Sequence, residues 1–231
     1  MQFADLGFDQ SRLLTLVVQA PRTYDNNQLD IARRQVLERV RSLPEVAAVT
    51  EMPRFPFARS SANVWISDSA AAETRAVGVL QTAVPADFFA TIQLPVIRGR
   101  SFDGHETPAD RVVLISESAA RAFWPGADPV GRQLEVPSSM LMGNEPSTVA
   151  RSLEGDSSRI SVTVVGIVRD TRVFDPWNGF TLMVYSPLAA QTQAQPYQLI
   201  RTNDAVDQTL AALHEVGRDV TGIVPRVETI N

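Results

Sequence analysis

Few residues in this sequence have types and spacings suited to chemistry. It holds two histidines, His105 and His214, and no cysteine. His105 lies in SFDGHETPAD (101–110), where Asp103, Glu106 and Asp110 could offer oxygen ligands to a cation or a general base beside the imidazole. A glycine- and proline-containing acidic stretch is more often a solvated turn, and no ligand spacing of a known metal site is present, so a turn is expected. His214 falls near the end of a predicted helix, where a cation is mildly favoured, and a structural role is expected. Ser116 precedes ESAARAFW and reads as a helix cap rather than a nucleophile, because no G-x-S-x-G elbow surrounds it. Arg98 and Arg100 in IRGRSF could clamp an anion, but pairing with nearby carboxylates or facing water is the expected use. Trp65, Trp124 and Trp177 could line a pocket, yet isolated tryptophans more often fill cores or cover sheet edges. No catalytic, cofactor-binding or metal-binding residue is assigned.

Composition narrows the classes further. All 21 Lys+Arg residues are arginine, so Schiff-base lysines, phosphate-loop lysines and Ser-Lys pairs are excluded. The absence of cysteine excludes thiol nucleophiles, iron–sulfur clusters and thiolate zinc sites. There is no G-x-x-x-x-G-K-[ST] loop and no G-x-G-x-x-G, which leaves nucleotide binding without support. A formal charge of -5 argues against a nucleic-acid binder, and no block of like charge suggests a polybasic membrane patch. At 231 residues and 44% hydrophobic, the chain can bury a substantial core. No apolar run reaches the roughly 18 residues of a membrane span, and MQFADLGF is too short and polar for a signal peptide.

The elements that would position these residues fall into three groups. LLTLVVQA (13–20) reads as a buried strand ended by Pro21. Asp25, Asn26 and Asn27 offer caps for a helix carrying Leu29, Ala32, Val36, Val40 and Leu43, stopped by Pro44. VAAVTEM (46–52) returns as a strand, completing a β-α-β unit. The other end repeats the pattern. YQLIRT (197–202) is a strand, and Asn203 caps a helix bearing Val206, Leu210 and Leu213, with Gly217 as its stop. IVPRVETI (223–230) closes as a strand that Pro225 marks as an edge or a strand start.

Between them, strands are expected at 63–67, 74–84, 111–115, 132–136, 160–168 and 180–185. PADFFATIQ (85–93) and ESAARAFW (117–124) are expected as short helices, and 137–159 as a long loop. FWPGADPVGR (123–132) then needs no ligand: Pro125 stops a helix, Gly126 frees the backbone, Asp128-Pro129 turns and Gly131 admits a strand. Trp124 is expected to be at least partly buried, with positive φ at Gly126 or Gly131. The fold class is α+β: a split pair of β-α-β units (ferredoxin-like) formed by both chain ends, around an inserted mainly-β part. Right-handed crossovers would place Leu13 and Thr229 at the same end of the molecule.

VVLISESAARAFWPGADPVGRQLEV (112–136) resembles the signature of the MacB-like periplasmic core domain of ABC-type permeases. AVPADFFATIQLPVIRGRSF (83–102), VTVVGIVRDTR (162–172) and LMVYSPL (182–188) are similar to further pieces of that family in the same order, and so are LGFDQSRLLTLVV near the start and LPEVAAVT after the first helix. The resemblance implies a porter-like subdomain split between 12–58 and 191–231, with a mainly-β subdomain inserted at 59–190. It also implies an extracytoplasmic, periplasmic domain between two transmembrane helices of an inner-membrane permease, non-catalytic and without cofactors. Such a domain would transmit conformational change from ATPase-driven helices to export or envelope signalling. Its partners would be its own transmembrane helices, a second permease copy and a cytoplasmic ABC ATPase, with a periplasmic adaptor as a further candidate and no nucleic acid. A free-standing extracytoplasmic ligand-binding module is the alternative, and a hydrolase a distant third.

Overall fold

Leu14 and Leu16 alternate with Leu13 and Thr15, and all four are buried. A strand with both faces covered belongs inside a sheet. The structure, a computed structural model, describes residues 10–52, 60–68, 73–141, 158–171, 181–188, 197–203 and 206–229. The first unit is β1 (Leu13–Val17), α1 (Asn26–Arg41) and β2 (Val46–Met52). The middle holds β3 (Ser60–Asp68), β4 (Glu73–Val84), α2 (Phe88–Thr91), β5 (Val96–Gly99), β6 (Val112–Ser116) and α3 (Glu117–Phe123). It continues with β7 (Gln133–Pro137), β8 (Arg159–Val168) and β9 (Met183–Pro187). The last unit is β10 (Tyr197–Thr202), α4 (Val206–Thr221) and β11 (Arg226–Thr229).

The two terminal units share one antiparallel sheet in the order β11-β1-β10-β2. Each unit's first strand therefore lies between the two strands of the other. Leu14 is opposite Thr229, so β1 begins where β11 ends. Helices α1 and α4 cover one face, where Val36, Val40, Leu213 and Val216 pack on Leu14, Leu16, Val49 and Ile200. Asp25 caps α1 through a reciprocal pair: its Oδ1 accepts from Gln28 N at 2.7 Å, and Gln28 Oε1 accepts from Asp25 N at 3.0 Å.

One expectation in the last unit changes. Gly217 does not stop α4 but sits inside it, because a Cβ there would lie 2.3 Å from the ring of Pro225. The glycine lets β11 return close to the helix, and Gly222, at φ 72°, stands just beyond the helix end instead. Asn203 donates its side-chain amide to Pro44 O at 2.8 Å, tying the two units together. The cap expected from Asn203 would act on residues 204–205, which lie outside the described residues.

In the middle, the six expected strands close on themselves: β8-β6-β9-β4-β3-β7, with β7 also paired to β8. Closure leaves no open edge within that ring. The β3–β7 seam is the thinnest, with one registered pair, Trp65 opposite Glu135. Arg159 lies over the Trp65 ring at 3.9 Å and 3.7 Å from Glu135, across this seam. Inside are Val64, Ile66, Val79, Val113, Ile115, Leu134, Val136, Val162, Val164 and Val184.

The sequence reading missed β5, a four-residue strand on the outside of β8 whose residues are mostly exposed and carry no apolar alternation. The helix expected over 85–93 is only one turn, preceded by a turn at Pro85 and ended by Gln93 at φ 56°. The 137–159 loop starts later than expected. Ser138–Met140 form a 3₁₀ turn, and Met140 and Leu141 are buried in the ring's core; residues 142–157 lie outside the described residues.

Candidate functional site

The helix-stop cassette at 123–132 is built as a structural joint. Ser116 caps α3 by accepting from Ala119 N at 3.2 Å, and it also accepts from Met183 N at 3.1 Å, so the cap fastens the helix to β9. The free carbonyls at the other end of α3 are taken by Arg75 of β4, which donates to Ala122 O at 2.6 Å and Phe123 O at 2.7 Å. Trp124 is 8% exposed, edge-on to Phe123 at 5.8 Å, with Arg132 over its ring at 6.0 Å. Gly126 and Gly131 have φ of 74° and 83°, and Gly131 N donates to Val164 O at 2.8 Å to start the new strand. Asp128 accepts from Val130 N at 3.1 Å and from Arg98 at 2.7 Å. The turn is held by its own residues together with Arg75, Arg98 and Val164 from three neighbouring strands.

Arg100 and the acidic stretch form a second joint. Glu106, 8% exposed, accepts from Asp103 N at 3.0 Å, Gly104 N at 3.0 Å and Arg100 Nη1 at 2.6 Å. Asp103 accepts from His105 N at 2.9 Å, and that bond holds its carboxyl below the usual range. Asp110 accepts from Thr107 N and Oγ1, which lowers it likewise. These carboxylates are spent on the loop that delivers Phe102 to the core beside Phe89. Among the described residues, no three His, Asp or Glu side chains are grouped to hold a metal.

The glycines of the same stretches are required by close approach. Gly99 and Gly166 are opposite each other where β5 pairs antiparallel with β8. A Cβ on Gly99 would lie 2.2 Å from Val165 O, and one on Gly166 2.5 Å from Arg100 O. Asp170 is buried and accepts from Ser118 N at 2.8 Å, Ser118 Oγ at 2.6 Å and Arg121 at 2.8 Å, which docks the start of α3 onto the end of β8. Asp170 is present in the sequence reading only as part of VTVVGIVRDTR and has no role there; its place two residues after the apolar run VTVVGIV was the available signal.

Surface hollows lined by described residues include the following pair. One, of about 300 Å³, lies between Ile97, Arg98, Glu117, Arg121 and Trp124; its arginines already pair with Asp128, Asp170 and Glu117. The other, of about 410 Å³, lies along β3 and β4 beside Asn63 and Gly78. The first brings two sequence candidates together, Arg98 and Trp124, whereas His105, Ser116 and Trp65 lie outside both linings. His214 sits within α4, and Trp177 is outside the described residues.

The stretches that carry the sequence resemblance therefore meet as joints between strands, and the family comparison covers them all. The family model of the MacB-like periplasmic core domain matches residues 1–216. The chain belongs to that family. The periplasmic region of MacB from Actinobacillus actinomycetemcomitans is similar in fold, with a TM-score of 0.57 at 16% identity over 96% of this chain and 90% of that one. The extracellular domain of the noncanonic ABC-type transporter YknZ from Gram-positive bacteria is also similar, with a TM-score of 0.52 at 14% identity over 95% of this chain and 100% of that one. No curated protein sequence matches this chain significantly. Among the described residues, no helix of this MacB-like domain is long and apolar enough to cross a membrane.

Proposed function

We propose that this MacB-like periplasmic core domain is the extracytoplasmic, non-catalytic part of an ABC-type permease of the inner membrane. It is strung between two transmembrane helices and passes their ATPase-driven movement outward for export or envelope signalling. The observation that carries this reading is the pairing of Leu14 with Thr229, which brings entering and leaving strands side by side at one end of the sheet. Adjacent strands are about 4.8 Å apart, a spacing that two neighbouring membrane helices can meet. In this reading 12–58 and 191–231 form the membrane-proximal part and 59–190 the inserted part. A second permease copy and a cytoplasmic ABC ATPase are the partners. Catalytic residues, metals and cofactors have no place in it, and the roles found for Ser116, Glu106 and Asp170 support that.

The test uses the full permease with its ATPase in membranes. The domain has no cysteine of its own, so Gln35→Cys on exposed α1 places a single label in it. The label should react with a membrane-impermeant maleimide from outside the cytoplasm. The spacing between labels of two copies should change when ATP is trapped on a hydrolysis-deficient ATPase. A spacing indifferent to ATP while export continues would refute transmission, and protection from the outside reagent would refute the placement.

A further inference from the structure

The open face of the four-stranded sheet is covered by one turn of helix. Leu13, Met52 and Leu199 project from that face into a cluster with Phe88, Phe89, Ile92 and Leu94, all buried. Both ends of α2 are bonded to the sheet beneath. At its start, the Asp87 carboxylate accepts from Thr50 Oγ1 of β2. At its end, Thr91 O accepts from Arg201 Nε of β10 at 2.5 Å. That carbonyl belongs to the last turn and has no acceptor role within so short a helix. Arg201 is 3% exposed, so its guanidinium is committed to this contact region rather than to water. The same helix is wired into the closed ring on both sides, following β4 and leading to β5 on β8. Phe89 stands edge-on to Tyr185 of β9 at 5.1 Å.

We infer that α2 is a strut, with Thr50–Asp87 and Thr91–Arg201 as its pins, that makes the sheet and the ring move as one rigid body. The chain passes between the two only twice, after Met52 and before Tyr197, and two covalent crossings alone would leave a hinge. A buried apolar contact pinned at both ends by hydrogen bonds removes that hinge, since packed interiors shift between discrete arrangements rather than bending smoothly. Arg201 is in this sense a positioning residue: it touches no ligand and fixes where the ring stands. The importance of the strut to transport rests on the function proposed above; its existence does not.

Electron–electron double resonance on the isolated chain tests the strut. Gln35→Cys on α1 and Ala76→Cys on β4 are exposed and report the distance between the two bodies. Ala76→Cys with Gln133→Cys, both on the ring, is the internal control. The first pair should give one narrow distance distribution, and Arg201→Ala should at least double its width while the control pair stays narrow. If Arg201→Ala does not fold, Thr50→Val with Asp87→Ala removes the other pin and should broaden the same pair. A broad distribution in the unsubstituted chain overturns the inference. So does an unchanged width in a folded pin variant, or broadening of both pairs together. Because no membrane or ATPase is involved, loss of the transport reading would leave this result standing, and the converse holds too.

Discussion

Gly99, Gly126 and Gly166 look alike in the sequence and differ sharply in what surrounds them. Gly126 has φ 74° but open space, with nothing within 4 Å of where a methyl group would sit. Gly126→Ala should therefore cost only the left-handed backbone penalty of about 1–2 kcal/mol. Gly166→Ala would push a Cβ against Arg100 O and should reach or exceed the roughly 1–3 kcal/mol of an overpacked core, because backbone cannot step aside. Urea melts of the two variants check that order. Tyr185 offers a pH test. Its ring is 1% exposed, and its hydroxyl has no hydrogen-bond partner among the described residues. Burial, with a smaller push from Asp170, raises its pKa far above 10. Below the unfolded value near 10 both states keep the proton. Above it the unfolded chain loses a proton that the folded chain retains, so stability falls as pH rises. With no lysine or cysteine in the chain, tyrosines dominate titration there. Tyr185→Phe should therefore flatten the fall in stability between about pH 10 and 11.5, and it should cost little at neutral pH. A melt series across that range with an unchanged slope would contradict the assignment. Ser116 as a cap was legible from its neighbours, whereas the closeness of Gly217 to Pro225 was not, because their contact depends on where a later strand returns.

At the scale of elements, periodicity predicted α1, β2, β10 and all six strands of the ring. It failed where an element is short or its environment comes from elsewhere. One-turn α2 owes its place to Thr50 and Arg201, far away in sequence, and exposed β5 pairs with β8 because Gly99 and Gly166 let the two backbones approach closely. Helix α3 is tied to a distant strand, since its Ser116 cap also accepts from Met183 N in the interior. An ordinary cap is worth about 1 kcal/mol; leaving a buried strand amide unpaired adds roughly 1–3 kcal/mol. Ser116→Ala should thus lose about 2–4 kcal/mol in urea unfolding, and a loss below about 1 kcal/mol would mean that β9 does not depend on the cap. Among the described residues, Arg98, Arg100, Ser116 and the carboxylates of Asp103, Glu106 and Asp110 are each engaged by neighbouring groups.

Across the whole molecule, the α+β layout and the meeting of Leu13 with Thr229 at one end were legible, because strand pairing follows from two β-α-β units at the chain ends. The closure of the ring was not, since it depends on a single registered β3–β7 pair, Trp65 with Glu135, which nothing in the local pattern marks. The pairing of β1 with β11 also sets how the molecule bears load. Force applied through Arg12 and Thr229 in the same direction slides nothing past anything, and the sheet is carried along whole. Force that draws those two positions apart meets the Leu14–Thr229 end first and parts the hydrogen bonds one at a time, like a zipper. Handles at Gln19 and Thr229 would instead load every β1–β11 bond together. In optical-tweezers records, the Arg12→Cys/Thr229→Cys chain should open at clearly lower force than the Gln19→Cys/Thr229→Cys chain; equal forces would mean that another part of the fold yields first. A domain hung this way tolerates being pushed and lifted, and gives way when its two anchors separate.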